Sequence, residues 1–599
     1  MVGGDTLVQE LNPARGFQSS VDYVLTFGLG AHDSVSAVQV RWPDGRESAM
    51  GATAAGQQIV VSQAQAQNGA PGATPNAAPG AVPALMARVA TIDDIPFTHK
   101  ESDFIDFDRE RLIPRMLSTE GPAMAVGDVN GDGLDDVYVG GAKEQAGALF
   151  IQQGDGRFTS ASAATFAGDA ISEDVGAAFF DADGDGDKDL FVVSGGNEYS
   201  DMAPALQDRL YLNDGRGTFS KSADAIPPEF ISGSRPAAFD YDGDGDIDLF
   251  VGGRSIPWKY GETPQSTLLR NDGRGHFADV TAQLAPELQR VGMVTDAVWQ
   301  DIDGDRRPEL IVVGDWMPIT VFRNAGGGRL TPMAAKGLEQ SSGWWNRIVA
   351  GDFNGDGRTD FIVGNLGLNT RLKASPSEPT SMLVKDFDGN GFAEQVVACY
   401  GQGKSYPLVL RDDLIKAIPP LKARYLNYID YAKATMADIF PPKDRQGAIE
   451  RTAQTFASVM VRNDGNGTFT VVPLPEEAQL APVYGLLVRD VDNDGAMDVL
   501  LAGNLDGFKP EIGRAAESRG LVLRGDGKGG FAALAPSASG FIVPGESRDI
   551  ARVRVKSGDL VAVARNNDTP LVFRPTPRRV AQRETSAASA VSTASGSRN

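Results

Sequence analysis

Cysteine and histidine are nearly absent. Cys399 is the only cysteine in 599 residues, so no internal disulfide can form, and its setting, Val396-Val-Ala-Cys399-Tyr, is that of a buried strand residue. His32, His99 and His276 are scattered and share no metal-ligand spacing, which argues against a His-based metal or acid–base site. No apolar run reaches the roughly 18 residues that a membrane-spanning helix requires. Basic residues are outnumbered, 56 Lys and Arg against 79 Asp and Glu, and the net charge of -23 is the wrong sign for a nucleic-acid partner. The opening, Met1-Val-Gly-Gly-Asp5, lacks the basic patch and apolar core of a signal peptide.

What the chain has in quantity is aspartate and glycine, and both recur in one unit. Asp128-Val-Asn130-Gly-Asp132-Gly-Leu134-Asp135-Asp136 returns with variations from Asp181, Asp240, Asp301, Asp352, Asp386 and Asp490, at intervals of 53, 59, 61, 51, 34 and 104 residues. Short apolar runs flank each copy, such as Ala177-Ala-Phe-Phe180 and Leu190-Phe-Val-Val193, too short for helices and rich in strand formers. A second signature follows most copies: a strand, an Asn-Asp-Gly-type turn and an aromatic, as in Leu210 to Phe219 and Leu268 to Phe277. Repeats of this period with about four short strands each predict an all-β fold, a β-propeller. Seven blades are expected if the Asp352 and Asp386 loops share one blade, and eight if they do not.

Alternating acids on a tight loop are how a hard divalent cation is gathered. Positions one, three and five are Asp128/Asn130/Asp132, Asp181/Asp183/Asp185, Asp240/Asp242/Asp244, Asp301/Asp303/Asp305, Asp352/Asn354/Asp356, Asp386/Asp388/Asn390 and Asp490/Asp492/Asp494. Position nine is Asp136, Asp189, Asp248, Glu309, Asp360, Glu394 and Asp498. Position seven (Leu134, Asp187, Asp246, Arg358, Ala496) would offer its carbonyl, and Gly at position six permits the turn. The Asp301 loop, with Arg306 in place of that Gly, and the Asp386 loop are the weaker sites. Position twelve, where an EF-hand needs Glu, is apolar in all seven loops (Val139, Val192, Val251, Val312, Val363, Val397, Leu501), which excludes that fold.

These loops resemble the FG-GAP/VCBS repeat, the calcium-loop blade of integrin α-subunit propellers. The resemblance implies five to seven structural Ca2+ ions and a scaffold for ligand binding or adhesion. It further implies a secreted, cell-surface or periplasmic setting in a bacterium. Residues 1–62 resemble the later part of an ASPIC/UnbV domain through Arg15-Gly-Phe-Gln-Ser-Ser20, Phe27-Gly-Leu-Gly30 and Val38-Gln-Val-Arg-Trp-Pro-Asp-Gly45, with strands expected over Val21–Phe27 and Val35–Trp42. Because that domain's opening strands are missing, Met1 is not expected to be the natural start. Residues 63–89, Ala-, Gln-, Pro- and Gly-rich, read as a linker; 100–574 as the propeller; 409–456 as a helical insertion serving as cap or lid; and 575–599 as a disordered tail.

Each acidic loop joins two strands at one end of a blade, so the segments after the second strand emerge at the other. Tyr199, Arg254, Trp258, Tyr260, Trp316, Asn365, Asn369, Asn504 and Lys509 lie there, either lining a face for a protein, peptide or glycan or plugging the central channel. Trp344 and Trp345 are expected in the core. No catalytic residue is identified, and no enzyme is expected. The alternatives are a calcium-dependent propeller enzyme acting on polysaccharide and a purely structural array.

Overall fold

The computed structural model describes residues 6–11, 14–16, 19–20, 23–42, 46–68, 84–89, 95–556 and 558–576. Residues 43–45, where a tight turn is expected from Pro43-Asp-Gly-Arg46, most of the expected linker (69–83) and nearly all of the expected tail (577–599) lie outside them. The chain divides into two compact units, Met1–Val82 and Pro83–Asn599.

In the first unit Val38–Arg41 pairs with Arg46–Met50, which in turn pairs with Gln67–Asn68, and Ser34–Val35 pairs with Thr53–Ala54. The strand expected over Val21–Phe27 is not formed across its described residues. Val24 and Phe27 are exposed there, and the segment has no ladder partner among the described residues.

The second unit is a β-propeller. Seven antiparallel sheets start from the inner strands Met124–Gly127, Glu173–Phe180, Ser232–Phe239, Met293–Gln300, Arg347–Gly351, Val483–Arg489 and Ser547–Val555; six have four strands, and the fourth gains a fifth where Gly343–Trp344 pairs with Glu309–Met317. Each inner strand neighbours the next, and Ser547–Val555 neighbours Met124–Gly127, so the ring closes. The last sheet takes its outer strand from Met86–Arg88, paired with Leu571–Pro575. The segment read as linker through residue 89 therefore ends in a strand: Met86 packs in the core with Leu571 and Phe573. Closing a ring with a strand from the far end of the chain ties both ends of the repeat array together.

The Asp386 loop does not share a ring sheet with the Asp352 loop. It connects Thr380–Lys385 to Glu394–Gly401 in a separate four-stranded sheet with Lys404–Pro407 and Ile449–Ala453, inserted between the second and third strands of the fifth ring sheet. Short helices (Arg411–Ala417, Tyr428–Ala432, Met436–Ile439, Pro442–Arg445) pack on it through Leu414, Ile418, Leu421 and Phe440. The insertion is thus a mixed sheet-and-helix element, and its stretch from Ile449 is strand, not helix.

Between the sheets the apolar residues stack face to face. Phe191, Leu210, Leu249, Val251 and Phe277 fill one such layer. Five inner strands carry an irregularity at the same level. The pairing skips Val175, Thr295, Tyr484 and Arg548, and sets Ser234 and Arg235 against Gly252 alone.

Candidate metal loops and the far face

The position-one carboxylate organises each loop by accepting two backbone N–H groups. Asp181 accepts from Gly184 (2.8 Å) and Gly186 (3.0 Å), Asp240 from Gly243 (2.8 Å) and Gly245 (3.1 Å), and Asp386 from Gly389 (2.7 Å) and Gly391 (2.8 Å). Asp128, Asp301, Asp352 and Asp490 do the same. Position six turns with φ between 79° and 101° at Gly133, Gly186, Gly245, Gly357, Gly391 and Gly495. Arg306 adopts φ 68° in the same place, a strain of about 1–2 kcal/mol that glycine avoids.

Positions one, three and nine then converge. Carboxylate oxygens of Asp181, Asp183 and Asp189 lie within 4.8 Å of one another, as do those of Asp240, Asp242 and Asp248, of Asp301, Asp303 and Glu309, of Asp386, Asp388 and Glu394, and of Asp490, Asp492 and Asp498. The two loops read as weaker are among the five assembled. In the other two, position three is an amide: Asn130 donates to Asp132 (3.3 Å) and Asn354 to Asp356 (3.0 Å). Position five stands outside the triads and accepts the N–H of position seven: Asp132 from Leu134, Asp185 from Asp187, Asp244 from Asp246, Asp356 from Arg358 and Asp494 from Ala496. Asp305 is also paired with Arg307, and Asn390 accepts from Phe392 (2.8 Å).

Position nine faces two ways. One oxygen of Asp189 accepts from Ala182 N (2.8 Å) and the other from Asn213 N (2.8 Å) on the third strand, so the loop is fastened to its sheet. Asp136, Asp360 and Asp498 repeat the pattern. Burial, against these N–H donors and with the other loop carboxylates adding to it, pushes Asp136, Asp189 and Asp498 up to about 6 and Asp248, Glu309 and Glu394 up to about 7. Asp183 Oδ1, Asp248 Oδ2 and Glu309 Oε1 are buried and meet backbone N–H groups only outside good hydrogen-bond geometry. An all-oxygen donor set with repelling, weakly partnered carboxylates fits a hard divalent cation, whose charge would reverse that shift.

A second function of the loops was not read from the sequence. Asn213 donates its amide to Val129 O (2.7 Å) of the preceding sheet's loop and to Lys188 O (3.0 Å) of its own. Asn271 reaches Ala182 O (2.8 Å) and Ile247 O (3.1 Å) in the same way; Asn324 holds Tyr241 O (2.7 Å), and Asn463 holds Ile302 O (3.0 Å). Gln152 closes the ring by donating to Arg554 O (3.0 Å). The signal was the Asn that opens each Asn-Asp-Gly turn, which turn chemistry alone explains without a neighbour.

At the opposite end the expected ligand residues do gather, but inside. Tyr260 and Trp316 are 1% and 4% exposed and pack with Trp344, Phe456, Ile113, Leu117 and Met382. Trp316 Nε1 donates to Tyr260 Oη (2.9 Å), which donates to Asp315 (3.1 Å). Arg254 pairs with Glu120 and Asp315, Tyr199 donates to Ile171 O, and Trp258 donates to Asn197 and lies under Arg109. Asn365 and Asn504 are buried holding backbone carbonyls, and Lys509 is held by Glu511 and Asp413. Asn369 is exposed, and Trp258 is half-buried. Of the two arrangements expected for these residues, packing inside is the one that Tyr260 and Trp316 follow, because the inserted sheet and the segment around Ile113–Leu117 contribute to the same core. Trp344 and Trp345 are fully buried, and Cys399 on the inserted sheet is buried.

Residues 1–68 match the family described as ASPIC and UnbV, and residues 128–192, 181–251 and 301–363 match the FG-GAP-like repeat. No curated protein sequence matches the chain. Among solved structures, the Vibrio cholerae biofilm matrix protein Bap1 is 11% identical (TM-score 0.35; 82% of this chain and 91% of that one covered). Sqt1 of Saccharomyces cerevisiae is 9% identical (TM-score 0.37; 78% and 100%), and the exotype rhamnogalacturonan lyase YesX is 11% identical (TM-score 0.36; 82% and 76%). The chain thus carries FG-GAP-like repeats in its propeller and an ASPIC/UnbV segment at its start.

Proposed function

We propose that this chain is a calcium-stabilised propeller scaffold that binds a protein, peptide or glycan outside the cytoplasm. The observation that carries this reading is the convergence of three carboxylates in each of five loops. The loops connect strands inside a sheet, so a cation there would neutralise and cross-link the loop. Asp181, Asp183 and Asp189, and their counterparts, would hold it, with position-seven carbonyls completing the set. We read the closed ring as seven blades. No helix among the described residues is long and apolar enough to cross a membrane.

Since the far-end aromatics are consumed by packing, the ligand reading moves to the insertion. A groove of about 540 Å3 between its sheet and helices is lined by Tyr400, Lys404, Thr435, Asp438, Arg445 and Glu450. An aromatic beside donors and acceptors of both signs suits a polar ligand such as a glycan or peptide. Screening the calcium-loaded protein on glycan and peptide arrays tests this. Specific capture that is lost in Tyr400→Ala supports the scaffold reading; uniform absence of capture contradicts it and leaves a structural array.

A further inference from the structure

We propose that the propeller axis holds a binding site for a small oxyanion, a short carboxylate or a tetrahedral anion such as sulfate. The irregular residues of the inner strands supply it. Val175, Ser234, Arg235, Thr295, Tyr484 and Arg548, the residues that break the regular pairing, line one cavity of about 60 Å3. A bulge at the same level in five strands re-aims one or two side chains from each, as bulges beside binding sites do.

The chemistry of the wall is asymmetric. Arg115, Arg235, Arg254 and Arg548 line the cavity, with Glu120 as the only carboxylate. The balancing acids sit behind them: Asp315 accepts both bonds of Arg115 Nη2 (2.6 and 2.7 Å), Asp549 pairs with Arg235, and Glu546 with Arg548. These pairs fix the guanidiniums without exhausting them. Arg115 Nε, Arg254 Nη1 and both amide atoms of Asn346 find no partner, although the three residues are only 2%, 2% and 6% exposed. Buried N–H groups of this kind require an acceptor. An oxyanion supplies several acceptors and a charge in the volume available, and guanidinium forks are the geometry that holds one. Arg235, Thr295 and Tyr484 keep partial exposure, so the cavity communicates with solvent.

The test uses the full chain with saturating calcium and titrates sodium sulfate, and separately sodium acetate, against chloride at constant ionic strength and pH. Calorimetry is expected to show saturable one-to-one binding of at least one anion, with a matching rise in melting temperature; which anion binds identifies the tetrahedral or planar class. Asn346→Leu removes a donor that the empty fold leaves unpaired, and should weaken binding about tenfold, the worth of one buried hydrogen bond, without lowering the anion-free melt. Glu120→Gln removes the competing carboxylate from Arg254 and should tighten binding. Absence of saturable binding by either anion, or binding unmoved by both substitutions, overturns the proposal.

Discussion

The amide stitch between sheets yields a sharp expectation at Asn271. Its side chain donates to Ala182 O of the neighbouring loop and to Ile247 O of its own, while its backbone N–H holds Asp248. Asn271→Ala removes both side-chain bonds. Ala182 O keeps a second donor, Gly275 N at 2.9 Å, so mainly Ile247 O is stranded. One lost hydrogen bond at about 1 kcal/mol plus one part-buried acceptor left stranded, at the low end of about 1–3 kcal/mol, puts the cost at about 2 kcal/mol. Asn271→Asp keeps the shape but presents a carboxylate to two carbonyls beside Asp248, so it should cost more than alanine at neutral pH. Equilibrium urea unfolding of the calcium-saturated protein measures both. A loss below about 0.5 kcal/mol for alanine, or an aspartate variant milder than alanine, would refute the stitch as a source of stability.

Other consequences follow from the buried charges and loops. Asp315→Asn leaves Arg115 and Arg254 without their shared carboxylate and should destabilise by about 3–5 kcal/mol in the same unfolding assay, as for other broken buried pairs. Glu173 is fully buried, and burial, then Glu198, Glu101 and Glu120, raise it well above the carboxylate range. The folded state therefore keeps a proton that the unfolded chain releases above about pH 4.5, and stability falls as pH rises from there, by up to about 1.4 kcal/mol per unit. Glu173→Gln should flatten that slope by one proton between about pH 5 and 7, read from unfolding free energies across the range. Glu394→Gln should remove one calcium by equilibrium dialysis while leaving the ring sheets intact by circular dichroism, because its loop belongs to the inserted sheet.

The repeat was legible because its physics is local. Acid spacing, the position-six glycine and the apolar position twelve all lie within a dozen residues, and the structure assembles the position one, three and nine carboxylates in five loops. What escaped was long-range. Nothing near Met86 announces that it will complete a sheet with Leu571–Pro575, and nothing near Asp386 announces that its strands leave the ring. The aromatics Tyr260 and Trp316, which follow second strands, gather in one cluster, and their burial depends on Ile113, Leu117 and Met382, far away in sequence. Asn130 and Asn354 keep the backbone bond of their acidic counterparts, accepting from Asp132 N and Asp356 N as Asp242 accepts from Asp244 N, and the fold adds amide bonds to Asp132 and Asp356.

The central claim is that the acidic loops are calcium sites that hold the propeller together. Elemental analysis of the dialysed protein, paired with thermal melts in calcium, in magnesium and in EDTA, tests it most directly. Five to seven calcium ions per chain, a melt lowered substantially by EDTA and restored by calcium but not fully by magnesium, is the expected result. A protein without bound calcium whose melt is unchanged by the chelator would contradict the account.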